Sequence, residues 1–175
     1  GAQTRPNLKL DGPGATLLIS ERNGGVRVMA RMEDGWRQEA VLMEGLASIW
    51  LSSDGARALT YSAGRLVLFE RIAGAWSRSS TDSHLWEFSP FGSGFGVSSD
   101  LRTIIASGRH IFRPEEEGAL HVLRWSEGGF VETHLLFAGA VFDRFPSSVH
   151  ISADAQLAVT GSPPALFELP SSRDE

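Results

Sequence analysis

The side chains best suited to recognition chemistry fall in three connecting stretches, residues 82–88, 109–117 and 142–144. The first carries His84 and Trp86, the second Arg109, Phe112 and Arg113 ahead of glutamates 115–117, and the third Asp143 and Arg144. Aromatic rings and arginines are the types enriched at the energetic centres of protein interfaces. We therefore expect His84, Trp86, Arg109, Phe112, Arg113, Asp143 and Arg144 to make a partner-binding patch wherever the fold draws these loops together. Trp86 and Phe112 have a plainer alternative as packing residues, and the glutamates as a solvated tip.

Acid–base or metal chemistry finds less support. Of the five histidines, His121 and His134 fall in strand-like runs whose counterparts elsewhere are Arg or Val, and His150 matches Trp50. None forms the paired spacing of a helical metal site, and nothing groups a nucleophile with a base and an orienting partner. The chain has no cysteine, which removes disulfides, thiolate zinc sites and cysteine nucleophiles. Gly92-Ser93-Gly94 reads as a turn, because a phosphate loop needs a strand before it and a helix after it. The expectation is a non-enzyme without catalytic residues, metal or cofactor.

Composition narrows the partners. The net charge is −5, and the basic residues are arginines scattered along the chain beside one lysine, Lys9. Nucleic acid needs a clustered basic surface, so it is not an expected partner. No stretch approaches the roughly 20 apolar residues of a membrane span, so membrane insertion is not expected. The sequence opens at Gly1 without an initiator methionine or signal peptide, which reads as a processed, engineered or truncated terminus. With 42% hydrophobic and 21% charged residues, the chain has the balance of an ordinary globular protein.

The elements that must carry the loops come from a repeat. Asp11, Asp54, Asp100 and Asp154 lie 43, 46 and 54 residues apart, and each follows a short strand (7–10, 49–52, 95–98, 149–152). Ser52, Ser98 and Ser152 stand two residues before the last three aspartates. After each polar turn comes a nearly continuous apolar strand (15–19, 57–61, 102–106, 156–160), the pattern of a strand covered on both faces. Third strands follow at 26–31, 66–71, 120–125 and 165–169. Glycine turns then lead to Trp36, Trp76 and Phe130, which open an outer, half-solvated strand such as 36–42. A period of this size means units that bury their faces only against each other. The predicted fold is all-β and β-propeller-like: about four repeats of four-stranded antiparallel blades, at 7–44, 45–90, 91–144 and 145–175, in one domain over 1–175.

The runs 91–100 (FGSGFGVSSD) and 145–154 (FPSSVHISAD), with Gly161-Ser162-Pro163, resemble the opening and the closing G-A-P of FG-GAP repeats, the units of integrin-alpha-like propellers. The likeness covers most of the chain and weakens toward the amino end, where Gly45 and Ala2 take the Phe position. It implies an extracytoplasmic setting: secreted, periplasmic or an organelle lumen. Many FG-GAP repeats hold calcium in a D-x-D-x-D-G loop. Here each turn has one aspartate, too few for the six to eight oxygens calcium takes, so no structural calcium is expected.

The fourth repeat ends at Glu175, where the others begin their outer strand. The last blade is therefore expected to be incomplete, its edge covered either by residues 3–5 or by another chain. These readings favour a non-catalytic propeller module that binds other proteins or scaffolds a larger assembly, of which the chain would be a segment. Carbohydrate binding or adhesion, with Trp86 stacking on a sugar ring, is the alternative, and a hydrolase domain ranks below both.

Overall fold

The computed structural model describes residues 6–79, 83–84, 95–107, 120–126, 128–136, 148–161 and 164–170, and every helix or strand among them is a β-strand. Four antiparallel sheets of the β-propeller class form in chain order, as the repeat requires. The first contains β1 (Asn7–Leu10), β2 (Thr16–Glu21), β3 (Gly25–Met32) and β4 (Gly35–Met43). The second contains β5 (Ser48–Leu51), β6 (Arg57–Ser62), β7 (Arg65–Ile72) and β8 (Ala75–Arg78), with β9 (Ser83–His84) added on β7. The third is β10 (Phe95–Val97), β11 (Thr103–Ser107), β12 (Leu120–Ser126) and β13 (Gly129–Leu136). The fourth has three strands among the described residues: β14 (Val149–Ile151), β15 (Leu157–Gly161) and β16 (Pro164–Glu168). Among the described residues no helix is long and apolar enough to cross a membrane.

The chain divides into two compact units, Gly1–Ser83 and His84–Glu175. In the first, the front face of sheet one (Leu18, Val26, Val28) packs on the back face of sheet two (Ile49, Ala58, Phe69). Glu39 of β4 reinforces this from the outside, ion-paired to Arg71 and accepting from Trp76 Nε1 at 3.3 Å. In the second unit, Ile105, Leu120 and Val122 of sheet three pack in the same way on Val149, Ala158 and Leu169 of sheet four. The unit of stability is thus the junction between successive sheets, each face too small to be stable alone.

The last three inner turns are each held by a serine and an aspartate. Ser52 Oγ donates to Asp54 Oδ1 at 2.6 Å and accepts from the Arg57 amide at 2.8 Å, while Asp54 Oδ1 also takes the Ala56 amide at 2.9 Å. Ser98–Asp100 and Ser152–Asp154 repeat the hydroxyl–carboxylate bond at 2.6 Å. The side chains so replace the ladder bonds that a reversing backbone loses. Consecutive turns also touch within each unit, through Gly12 N to Ser53 O at 2.9 Å and Ser99 Oγ to Ala153 O at 2.8 Å.

The first turn corrects the sequence alignment. The Asp11 amide donates to Thr16 O, as the Ser52 amide does to Arg57 O, so Asp11 sits in the serine seat and Pro13 stands where Asp54 would be. The carboxylate of Asp11 still accepts the Ala15 amide at 2.8 Å, the bond Asp54 makes to Ala56. The expectation that every second strand is covered on both faces also needs correction. Residues 58–60 of β6 and 103–106 of β11 are buried without a break, whereas β15 alternates, with Leu157 and Val159 exposed around buried Ala158.

Candidate interaction surfaces

Of the residues expected to form a partner-binding patch, Trp86, Arg109, Phe112, Arg113, Asp143 and Arg144 lie outside the described residues, as does the amino-terminal stretch 3–5. His84 lies in β9, which pairs with β7.

His121, His134 and His150 each lie within a strand. His121 is fully buried on β12, and its Nδ1 lies 2.7 Å from Glu132 Oε2 on the neighbouring β13, beside the register shift at Val122/Leu123. Glu132 thus supplies Nδ1 with the polar partner that a buried polar atom needs. His134 Nδ1 lies 3.0 Å from Thr133 Oγ1, and His150 is exposed on β14 opposite Val159. Among the described residues, no group of three His, Cys, Asp or Glu is placed to hold a metal ion.

Two acids depart from ordinary behaviour, Asp54 and Asp154, both in inner turns. The Ser52 hydroxyl, and after it the Ala56 amide, hold the Asp54 carboxyl below its usual range. Ser152 and the Gln156 amide do the same for Asp154. Hydrogen bonds to the charged form lower a carboxyl pKa, so these shifts belong to turn architecture. A catalytic acid would be shifted the other way.

Within the first unit, Leu42 and Met43 of β4 and Thr60, Val67 and Phe69 of sheet two line an open groove of about 550 Å³, together with Arg65 and Arg78. Its volume is that of a small-molecule cleft, and among the described residues its lining carries the hydroxyls of Thr60 and Ser62 and the two arginines but no carboxylate or histidine.

A more distinctive surface lies at the two ends of the repeat series. Leu18, Leu59, Ile105 and Val159 occupy one seat in their sheets and pair across to Val28, Leu68, Val122 and Leu166. The first three pairs are fully buried; Val159 is 46% and Leu166 65% exposed. Ile49 and Leu51 of β5 correspond to Leu8 and Leu10 of β1. Ile49 is buried, whereas Leu8 is 52% and Leu10 57% exposed. Isolated exposed apolar residues are ordinary; Val159 and Leu166 are notable because their seats are fully buried in the other three sheets, and adjoining exposed apolar residues are a feature of interaction sites. The sequence could not distinguish these rows, because the fourth repeat carries the same apolar pattern as the second.

No family model matches the sequence, and no curated protein matches it. Solved structures do match in fold. A chain of a mitotic checkpoint complex crystal structure aligns with a TM-score of 0.63 at 12% identity, over 98% of this chain and 51% of that one. The β-propeller domain of Cps50 (Swd1) from Myceliophteria thermophila aligns at 0.63 and 11% identity, over 93% and 52%. A protein assigned as a 6-phosphogluconolactonase from Bacteroides uniformis aligns at 0.61 and 13% identity, over 95% and 51%. At such identities the likeness is one of fold. The chain spans about half the length of each of these matched chains.

Proposed function

We propose that the chain is a non-catalytic propeller module that works by binding protein, as a scaffold within a larger assembly. The observation that carries this reading is the bare apolar row Val159 and Leu166, at seats that are fully buried in the three preceding sheets. Cover for such a row adds roughly 25 cal/mol per Å² of apolar surface removed from water. His121 and His134 have hydrogen-bonding neighbours within the fold and the turn aspartates hold the turns, which agrees with a role in recognition. Protein assemblies among the matched folds, the mitotic checkpoint complex for one, agree with a binding role. Membership of the FG-GAP family, and the extracytoplasmic setting that goes with it, belong to the same proposal and rest on the phenylalanine, serine and aspartate positions of the last two repeats.

Site-specific photo-crosslinking tests the reading. A photoreactive phenylalanine in place of Leu166 is expected to capture protein in an extract of the source cells. The same group in place of the exposed Arg37 on β4 is expected to capture none. Equal capture at both positions, or capture at neither, contradicts the binding role.

A further inference from the structure

We propose that the groove between β4 and sheet two binds a small organic acid, a carboxylate on a compact apolar body. The site shares no residue with the exposed seats of sheet four, so it stands apart from the protein-binding role proposed above.

The groove opens where the junction of sheets one and two meets solvent. Phe69 belongs to the buried cluster of that junction, and Leu42, Met43 and Val67 pack against it while staying half-buried. These four make the apolar floor of a cleft of about 550 Å³, within the range that holds small ligands. Arg65, Val67 and Phe69 alternate along β7 and so share a face, and Arg78 of β8 pairs with Phe69. The two arginines therefore border the floor. Thr60 Oγ1 donates to Val67 O at 3.4 Å and Ser62 Oγ to Leu46 O at 3.1 Å. Those hydroxyl hydrogens are used within the fold, and the guanidiniums are the lining's donors toward a ligand.

The other sheets show that the repeat does not itself call for this chemistry. The seat of Val67 holds Arg27 in sheet one, ion-paired with Glu21, and His121 in sheet three, beside Glu132. The seat of Arg78 holds Gln38 in sheet one and Glu132 in sheet three. Sheets one and three thus set a cation or imidazole against a carboxylate of the same sheet. In sheet two the described lining has an apolar residue at that seat, two cations and no carboxylate. An incoming acid supplies the anion, and its apolar body covers Leu42, Val67 and Phe69. A guanidinium carries five donors and meets a carboxylate through two parallel bonds, so each arginine can take a ligand's oxygens alongside its other contacts.

Fluorescence titration of the full chain tests the site with two probes. Dansylglycine carries an aromatic body and one carboxylate; dansylglycinamide has the same body without the charge. The acid is expected to bind saturably at a single site and the amide about tenfold more weakly, the loss expected for a charge-assisted hydrogen bond. Arg65→Gln and Arg78→Gln should each weaken the acid by about fivefold or more and leave the amide unchanged, while Arg78→Lys keeps part of the acid's affinity. Both arginines are exposed, so far-ultraviolet circular dichroism of each variant should match that of the unaltered chain. Leu166→Asp, on sheet four, should leave both titrations as they were. No saturable binding of the acid up to about 1 mM, equal affinity for acid and amide, or binding lost in Leu166→Asp but kept in the arginine variants overturns the proposal. Capture by the crosslinker at position 166 is read separately, so either result can fail without the other.

Discussion

At the scale of single residues, the inner turns concentrate the polar energetics. Ser52 is fully buried, and its hydroxyl both donates to Asp54 and accepts the Arg57 amide. Ser52→Ala leaves a buried amide without that acceptor, which costs about 1–3 kcal/mol, read as a lower denaturant midpoint at unchanged slope. Asp54 makes the fold sensitive to acid. Its folded pKa is lowered from 3.8, chiefly by the Ser52 hydroxyl and then by the Ala56 amide, so the folded chain binds its proton less readily than the unfolded one. The stability it contributes is full above that ordinary value and is lost as pH falls through the folded value. Thermal melts between pH 5 and 2 should show the loss, and Asp54→Asn should flatten part of the slope. At the fourth turn Ala155 takes a left-handed φ of 56°, where the equivalent Gly55 has 69°. Ala155→Gly relieves the clash of a Cβ in that conformation and should stabilise by about 1 kcal/mol, seen as a raised melting midpoint.

At the scale of elements, the same seat has opposite energetics in different sheets. Leu59 is fully buried and Val159 46% exposed. Leu59→Ala should cost about 2–5 kcal/mol, and Val159→Ala in the monomer no more than about 0.5 kcal/mol; paired denaturation curves check both. Strand order and hairpin phase were legible in the sequence: Trp36, Trp76 and Phe130 each pair with the residue at the same place in the preceding strand, Arg31, Arg71 and Trp125. Apolar patterning also marks which residues face inward, but not whether the covering face lies on the same chain, so β15 reads like β6 while half of it is bare. The position of Asp11 was illegible for a different reason. An aspartate before glycine occurs at both Asp11 and Asp54, and only the backbone bonds to Thr16 and Arg57 reveal that the two residues fill different seats. The predicted loop patch needs Trp86, Phe112 and Arg113 to converge, and long loops carry no period from which their course can be read.

At the scale of the whole molecule, like sheets meet front to back within each unit, while the front seats of sheet four, Val159 and Leu166, stand exposed. The absence of cysteine makes this directly measurable, since a single introduced thiol is the only one to react. Leu166→Cys and Leu68→Cys place that thiol in equivalent seats of sheets four and two, the first exposed and the second fully buried in the native chain. In dilute folded protein, the thiol at position 166 should be labelled at the rate of a free thiol and that at 68 only on unfolding. Protection at 166 in the dilute folded protein, or rapid labelling at both seats, would contradict the exposure of the one seat and the burial of the other.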